Sequence, residues 1–158
     1  MTHIKQSSLS DLPYFAYGSN MNQEQMRQRC PDHKLMGIAK LPNYKLIFPR
    51  TSKRWDNLGV ASIEHCIGEE TWGALYIMTQ ADWDFLDGKE LLGISYIKKT
   101  VKVITFDYHN MYALTYIARR EKPNPPSKRY IAQIISGAEQ LRLPLGYIEK
   151  LKAIKTGD

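Results

Sequence analysis

Only two cysteines, Cys30 and Cys66, occur among the 158 residues, so the chain has no material for a disulfide framework. No apolar run is long enough to cross a bilayer. The first ten residues, Met1–Ser10, lack the apolar segment of a signal peptide. The cytosol is therefore the expected compartment, and no membrane partner is expected. Gly-x-x-x-x-Gly-Lys-Ser/Thr, Gly-x-Ser-x-Gly and the dinucleotide fingerprint are all missing, which removes the commonest phosphate-cradling and serine-nucleophile chemistries. No internal repeat occurs.

Charge, by contrast, is plentiful. Lysine and arginine number 22 against 16 acids, a net charge of +6. That excess raises nucleic acid as a partner, but the basic residues fall in scattered pairs: Lys53-Arg54, Lys98-Lys99, Arg119-Arg120 and Lys128-Arg129. Acids interrupt them, and no RNA-binding signature of glycine with interleaved aromatics accompanies them. A solvated basic surface is the expectation, with no nucleic acid bound. The 43% apolar and 24% charged content is that of a folded globular chain, long enough for one domain with a real core. Residues 1–12 read as a flexible polar lead and 13–158 as the domain.

The order of elements follows from periodicity and punctuation. Tyr14–Tyr17 is a short apolar strand, and Asn22-Gln-Glu-Gln25 has the form of a capping box, predicting a helix from Gln23 to Arg29 that stops before Pro31. Residues Gly37–Phe48 are strand-like but broken at Leu41-Pro42-Asn43, and Pro49–Asn57 is basic and polar, a loop. Leu58–Ile63 and Trp72–Met78 read as two strands buried on both faces, joined by a turn at Gly68-Glu69-Glu70. Thr79 caps a helix over 81–87 that Gly88 ends. Residues 96–106 and 111–118 form a hairpin around Asp107-Tyr-His-Asn110, with Val101, Val103 and Thr105 on its inner face. After the stiff Lys122-Pro-Asn-Pro-Pro126, Ser127 caps a helix burying Ile131, Ile134, Ile135, Ala138 and Leu141. A last helix starts at Pro144 with Tyr147, Leu151 and Ile154 in register. Five to seven strands with helices between and after predict an α+β single domain, a small mixed β-barrel with flanking helices.

Chemistry concentrates in two places. In Tyr14-Phe-Ala-Tyr-Gly-Ser-Asn-Met21 a strand breaks at Gly18, a residue that takes φ > 0 without steric cost, and a polar helical run follows. A strand turning sharply into a helix aims several backbone N–H groups at one point, a nest suited to carboxylate or phosphate. An ordinary strand–turn–helix corner has the same pattern. Farther on, Glu90 sits just past a helix end and before two leucines. Desolvation beside apolar side chains would raise its pKa, as a general base working near neutral pH requires; a solvated helix-end glutamate is the plainer alternative. Cys30-Pro-Asp-His33 and His65-Cys66 suggest zinc at first glance. Adjacent residues on a strand point to opposite faces, however, so His65 and Cys66 cannot easily share a metal, and buried cysteines acting as small apolar residues are expected instead.

Taken together and in order, these stretches resemble the γ-glutamylcyclotransferase family. Tyr14–Met21 is similar to its signature loop, and Leu86-Asp87-x-x-Glu90, followed by Tyr96 and a valine-rich strand, to its catalytic segment. The likeness continues through Trp72-Gly73, Tyr116, Pro125-Pro126-Ser127 with Tyr130, and Leu143–Ala153, covering about residues 13–155. The resemblance implies an enzyme that cyclises a γ-glutamyl group, releasing 5-oxoproline and a free amine or amino acid, with no cofactor and no metal. It implies that the backbone N–H groups of Tyr17, Gly18, Ser19 and Asn20 hold the α-carboxylate, that Glu90 moves the proton, and that Tyr96, Tyr116 and Tyr130 surround the pocket. Family members are commonly monomers or homodimers. One departure stands out: where the family has glycine after the glutamate, this chain has Leu91, and the interval to Tyr96 is a residue shorter than in animal members. Gly93 is then expected to take over the special backbone angle. Two other readings stay open, a cyclotransferase for γ-glutamylamines and a catalytically silent binding module with the same pocket.

Overall fold

The computed structural model describes residues 11–90 and 92–158. Five strands, β1 (Tyr14–Ala16), β2 (Lys34–Ser52), β3 (Leu58–Ile77), β4 (Tyr96–Thr105) and β5 (Asn110–Ala118), close into a barrel in the order β1-β3-β2-β4-β5. All pairs are antiparallel except β1 with β5, where Tyr14 lies beside Leu114 in the parallel sense. Four helices flank it: α1 (Gln23–Arg29), α2 (Gln80–Lys89), α3 (Lys128–Gln140) and α4 (Leu145–Lys152). The expected mixed barrel with flanking helices is the fold observed. The flexible lead falls mostly on residues 1–10 and the substitution of Leu91 on residue 91, both outside the described residues.

The short central strand explains how the core divides. Successive residues of a strand face opposite sides, and β1 sends Phe15 into one apolar cluster and Tyr14 and Ala16 into another. The Phe15 cluster takes Ile131, Ile134 and Ala138 of α3 and Tyr147, Ile148 and Leu151 of α4, which are the faces their helical spacing predicts. The Tyr14 cluster takes Met26 and Cys30 from the end of α1 and Trp83 and Leu86 from α2. A single three-residue strand is thus sandwiched between two helical layers, with β3 and β5 at its edges.

Three elements differ from their sequence-based outlines. β2 runs unbroken through Leu41-Pro42-Asn43 and on into the first part of the expected loop, because Arg50, Thr51 and Ser52 pair with Val60, Gly59 and Leu58. Proline is tolerated there because it sits at a register shift: Pro42 faces Glu70 while Tyr44 faces His65. The residues between, including Gly68-Glu69, are a bulge inside a single long β3 and not a turn between two strands. Asn43 at φ 63 and Gly68 at φ 90 shape it, and the Gly68 N–H donates to Asn43 Oδ1 at 3.0 Å. Cys66 lies on this bulge and is partly exposed, whereas Cys30 is buried as expected. α2 also passes Gly88 and ends at Lys89, leaving Glu90 as its C-cap.

The caps behave largely as their residue types predict. Asn22 Oδ1 accepts from the Gln25 N–H at 3.0 Å, Thr79 and Asp82 form a reciprocal capping box, and Ser127 Oγ accepts from the Tyr130 N–H at 3.1 Å. The second half of the Asn22 box is missing because the Gln25 side chain turns away to Ser19 and Asn20.

Candidate active site

Between β1 and α1 the chain makes a tight 3-10 turn, Ser19–Met21. Gly18 precedes it at φ −110, so the positive φ expected there is not used. Space does not demand glycine either, since a Cβ would stand 3.6 Å from Tyr130 Oη and 3.7 Å from Ala61 Cβ, ordinary van der Waals contact. The first bond of the turn runs from the Met21 N–H to the Gly18 carbonyl at 3.0 Å. A 3-10 turn leaves its leading N–H groups without intrahelical partners, which are those of Gly18, Ser19 and Asn20 here.

Asn20 is the clamp that holds this turn. Its Nδ2 donates to Tyr14 Oη at 3.0 Å, its Oδ1 accepts from Gln25 Nε2 at 2.9 Å and Arg29 Nη1 at 3.0 Å, and its carbonyl accepts from Tyr76 Oη at 2.7 Å. Side chain and carbonyl are thus spent on structure, and the backbone N–H is what remains for a ligand. From the other side α3 presses on the turn at Gly137, where a Cβ would come within 2.4 Å of the Met21 carbonyl carbon. Only glycine permits that approach.

All eight candidate residues line one recess of about 50 Å³. Tyr17, Gly18, Ser19 and Asn20 come from the turn, Glu90 from the end of α2, Tyr96 from the start of β4, Tyr116 from β5 and Tyr130 from α3. Tyr14, Ala61 and Thr115 complete the lining and were not singled out by sequence. The recess lies where the two apolar clusters meet, which is why its walls are aromatic. It opens into a cleft of about 600 Å³, and Ser19, Glu90, Tyr96 and Tyr130 line both.

Glu90 therefore stands at the boundary, half-buried. Among the described residues its carboxylate has no hydrogen bond and no ion pair. Burial pushes its carboxyl above the usual range, partly opposed by the positive charges of Arg29, Arg54, Lys89 and Arg50. A carboxyl in that state is poised to exchange a proton nearer neutrality than an exposed one.

The tyrosines differ in what their protons are doing. Burial drives the phenols of Tyr14, Tyr96, Tyr116 and Tyr130 well above their ordinary value, so all remain protonated. Tyr116 donates to Asp87 Oδ1 at 2.6 Å, and Lys98 Nζ holds the same carboxylate at 2.9 Å while lying 4.5 Å above the Trp83 ring. Tyr17 donates to the Tyr116 carbonyl. Tyr130 instead accepts from the Ala61 N–H at 2.9 Å, and Tyr14 accepts from Asn20, so both keep a proton to give. The Tyr96 hydroxyl is likewise without a hydrogen bond among the described residues.

Gly93 adopts φ +85 in the turn after Glu90, the special angle expected of it, and its N–H donates to the Tyr96 carbonyl at 2.7 Å. This ties the segment carrying Glu90 to the strand carrying Tyr96. The cysteine and histidine candidates lie apart from the recess. His33 Nδ1 is 2.5 Å from the Cys30 carbonyl, and His65 stacks edge-on against Tyr44.

Sequence and fold both have known relatives. The AIG2-like family model matches residues 70–151. Human γ-glutamylcyclotransferase is 36% identical over 92% of this chain and 79% of its own length, and the mouse protein 34% over the same shares. A solved structure of a γ-glutamyl cyclotransferase superposes with a TM-score of 0.88 at 34% identity, covering 93% of this chain and 89% of that one. On these grounds the chain belongs to the AIG2-like family, among the γ-glutamylcyclotransferases.

Proposed function

We propose that the protein cyclises γ-glutamyl amino acids or dipeptides to 5-oxoproline and a free amino acid, with Glu90 as the proton carrier. The α-carboxylate of the substrate accepts from the N–H groups of the Gly18–Asn20 turn, where the preceding Tyr17 completes the wall. A recess of about 50 Å³ has space for roughly two waters at about 30 Å³ each, or one carboxylate in their place. The glutamyl chain then folds back toward Glu90, and the scissile amide lies at the mouth of the recess with the leaving half in the cleft.

The steps balance within the substrate and one side chain. The Glu90 carboxylate takes a proton from the substrate's α-ammonium. The freed nitrogen attacks the γ-carbonyl carbon, forming the ring C–N bond and placing negative charge on the carbonyl oxygen. Tyr96, Tyr130 and Tyr14, whose hydroxyl protons go to no acceptor among the described residues, are the donors for that oxygen. The attacking nitrogen, now positive and carrying two hydrogens, gives one of them up as the charge collapses and the amide C–N bond breaks. Glu90 delivers its first proton to the departing nitrogen and then relays this second one, so the ring closes as a neutral lactam and the amino acid leaves in its ammonium form. Nucleophile and electrophile belong to one molecule, so holding the chain folded supplies a large effective molarity.

The observation that carries this reading is the convergence on one recess of a half-buried carboxyl and a turn whose leading N–H groups lack intrahelical partners, the carboxyl having no hydrogen bond or ion pair among the described residues. Purified protein should release 5-oxoproline from a γ-glutamyl dipeptide in step with the free amino acid. Binding without release would turn the assignment toward a silent module.

A further inference from the structure

The cleft outside the recess is far more basic than a leaving amino acid with one carboxylate requires. Arg29, Arg50, Lys53, Arg54 and Lys89 line it, and Glu90 is the one carboxylate among its described lining residues. An excess of four positive charges remains even with Glu90 ionised.

Little in the protein neutralises them. Arg50 pairs with Glu121 at 3.5 Å and donates to the Ser95 carbonyl at 3.2 Å. Lys53, Arg54 and Lys89 have no ion pair among the described residues. Arg29 is the most telling: it is 8% exposed, its Nη1 goes to Asn20, and among the described residues its Nε has no partner and no carboxylate lies within ion-pair distance. Glu90 is the carboxylate whose charge it feels, at longer range than an ion pair, and a buried guanidinium without a paired anion is costly unless one arrives. The crowding registers on the neighbours, since Lys89 is held below its ordinary value by Arg54 first, then by desolvation and Arg29. Arg54 is lowered by desolvation, Arg29 and Arg129. Mutual repulsion of this kind persists where a ligand relieves it.

We infer, taking the cyclisation above as given, that this cleft selects γ-glutamyl compounds whose leaving half carries a second carboxylate, a dicarboxylic amino acid such as glutamate or aspartate. Two negative charges answer the unpaired cations, and a cleft of about 600 Å³ lies in the range that encloses ligands larger than a small amino acid. An amine half bearing an ammonium group is repelled, which sets γ-glutamyl-lysine and γ-glutamyl polyamines at the bottom of the order.

The test compares γ-glutamyl-glutamate with the near-isosteric, uncharged γ-glutamyl-glutamine and with γ-glutamyl-lysine. Initial rates of amino-acid and 5-oxoproline release are measured at low and near-physiological salt. At low salt kcat/KM for the glutamate compound should exceed that for the glutamine compound at least about tenfold, mainly through KM, as a charge contact at partly screened distances allows. Salt should shrink the ratio. Lys53→Gln with Arg54→Gln, both at exposed positions, should bring it to within about threefold. Equal rates for the glutamate and glutamine compounds, or a preference for lysine, would overturn the inference while leaving cyclisation standing. Absence of 5-oxoproline from every compound would instead overturn cyclisation. Calorimetry with the same uncleaved compounds would then still read the charge preference, and equal affinities would sink it as well.

Discussion

Replacing Glu90 with glutamine separates chemistry from binding and from folding. The amide keeps the shape of the side chain but cannot shuttle a proton. General acid–base contributions run to about a hundred- to ten-thousandfold, roughly 2.7 to 5.4 kcal/mol of barrier at 1.36 kcal/mol per tenfold. Here one group performs both transfers, so the loss should sit at the upper end. Folding should not suffer, because no hydrogen bond or ion pair to the Glu90 carboxylate is present among the described residues. The sign of the stability change follows from the raised carboxyl. An acid whose folded pKa lies above its unfolded value destabilises the native state fully above the folded pKa and not at all below the unfolded one, near ~4.3. E90Q should therefore be at least as stable as the parent at neutral pH, and any advantage should fade as pH falls toward 4. Below its folded pKa the Glu90 carboxyl is protonated and cannot act as base, so parental kcat/KM should rise with pH through that value. This limb should vanish in the variant. Release of 5-oxoproline, calorimetric binding of a γ-glutamyl dipeptide and thermal unfolding across pH measure the three effects. A variant turning over within tenfold of the parent would remove Glu90 from the mechanism, whatever its stability.

Other substitutions address the tyrosines, the turn and metals. Tyr96→Phe and Tyr130→Phe should each lower kcat by about ten- to a thousandfold if their phenols serve the carbonyl oxygen. Tyr116→Phe, whose proton already goes to Asp87, should instead cost mainly stability, about 1 to 3 kcal/mol, read by urea unfolding; a reversed order would reassign the donors. Gly137→Ala forces a methyl into the Met21 backbone and should destabilise by about 1 to 3 kcal/mol, with weaker substrate binding because the turn shifts. Turnover should survive EDTA, and a loss restored by zinc would bring Cys30, His33 and His65 back as ligands.

The parts of the molecule that local chemistry dictates were legible in the chain, and the parts decided by distant partners were not. The caps at Asn22, Thr79 and Ser127 and the buried faces of α3 and α4 depend on residues a few positions apart. Pro42 looked like a strand breaker because a single sequence does not show that β3 supplies a bulge opposite it. Gly18 was read as a backbone-angle glycine, but its φ of −110 lies outside the left-handed region, and a Cβ would meet Tyr130 and Ala61 only at ordinary contact distances. The eight candidate residues came from motifs and a family likeness, and they do share one recess. Nothing in the sequence distinguished Tyr116 from Tyr96 or Tyr130, since which phenol keeps its proton depends on Asp87 and Ala61. Arg29 was likewise hidden: a basic residue closing a polar helix is the ordinary pattern at a C-terminus, and only the packing of α1 under the turn makes it buried.

The same arrangement explains how so short a turn keeps a fixed shape. A 3-10 turn of three residues has little intrinsic stability and would not hold N–H groups in place alone. Here Asn20 ties it to β1 through Tyr14, to β3 through Tyr76 and to α1 through Gln25 and Arg29. Gly137 lets α3 close over it. Four elements thus converge on the turn, two of them strands of the closed barrel. Glu90, by contrast, ends a helix and hangs from a segment pinned through Gly93 and Tyr96. In the cyclisation proposed above, a turn fixed by many partners would hold the substrate still, while Glu90, whose carboxylate has no hydrogen bond or ion pair among the described residues, would carry protons between two nitrogens.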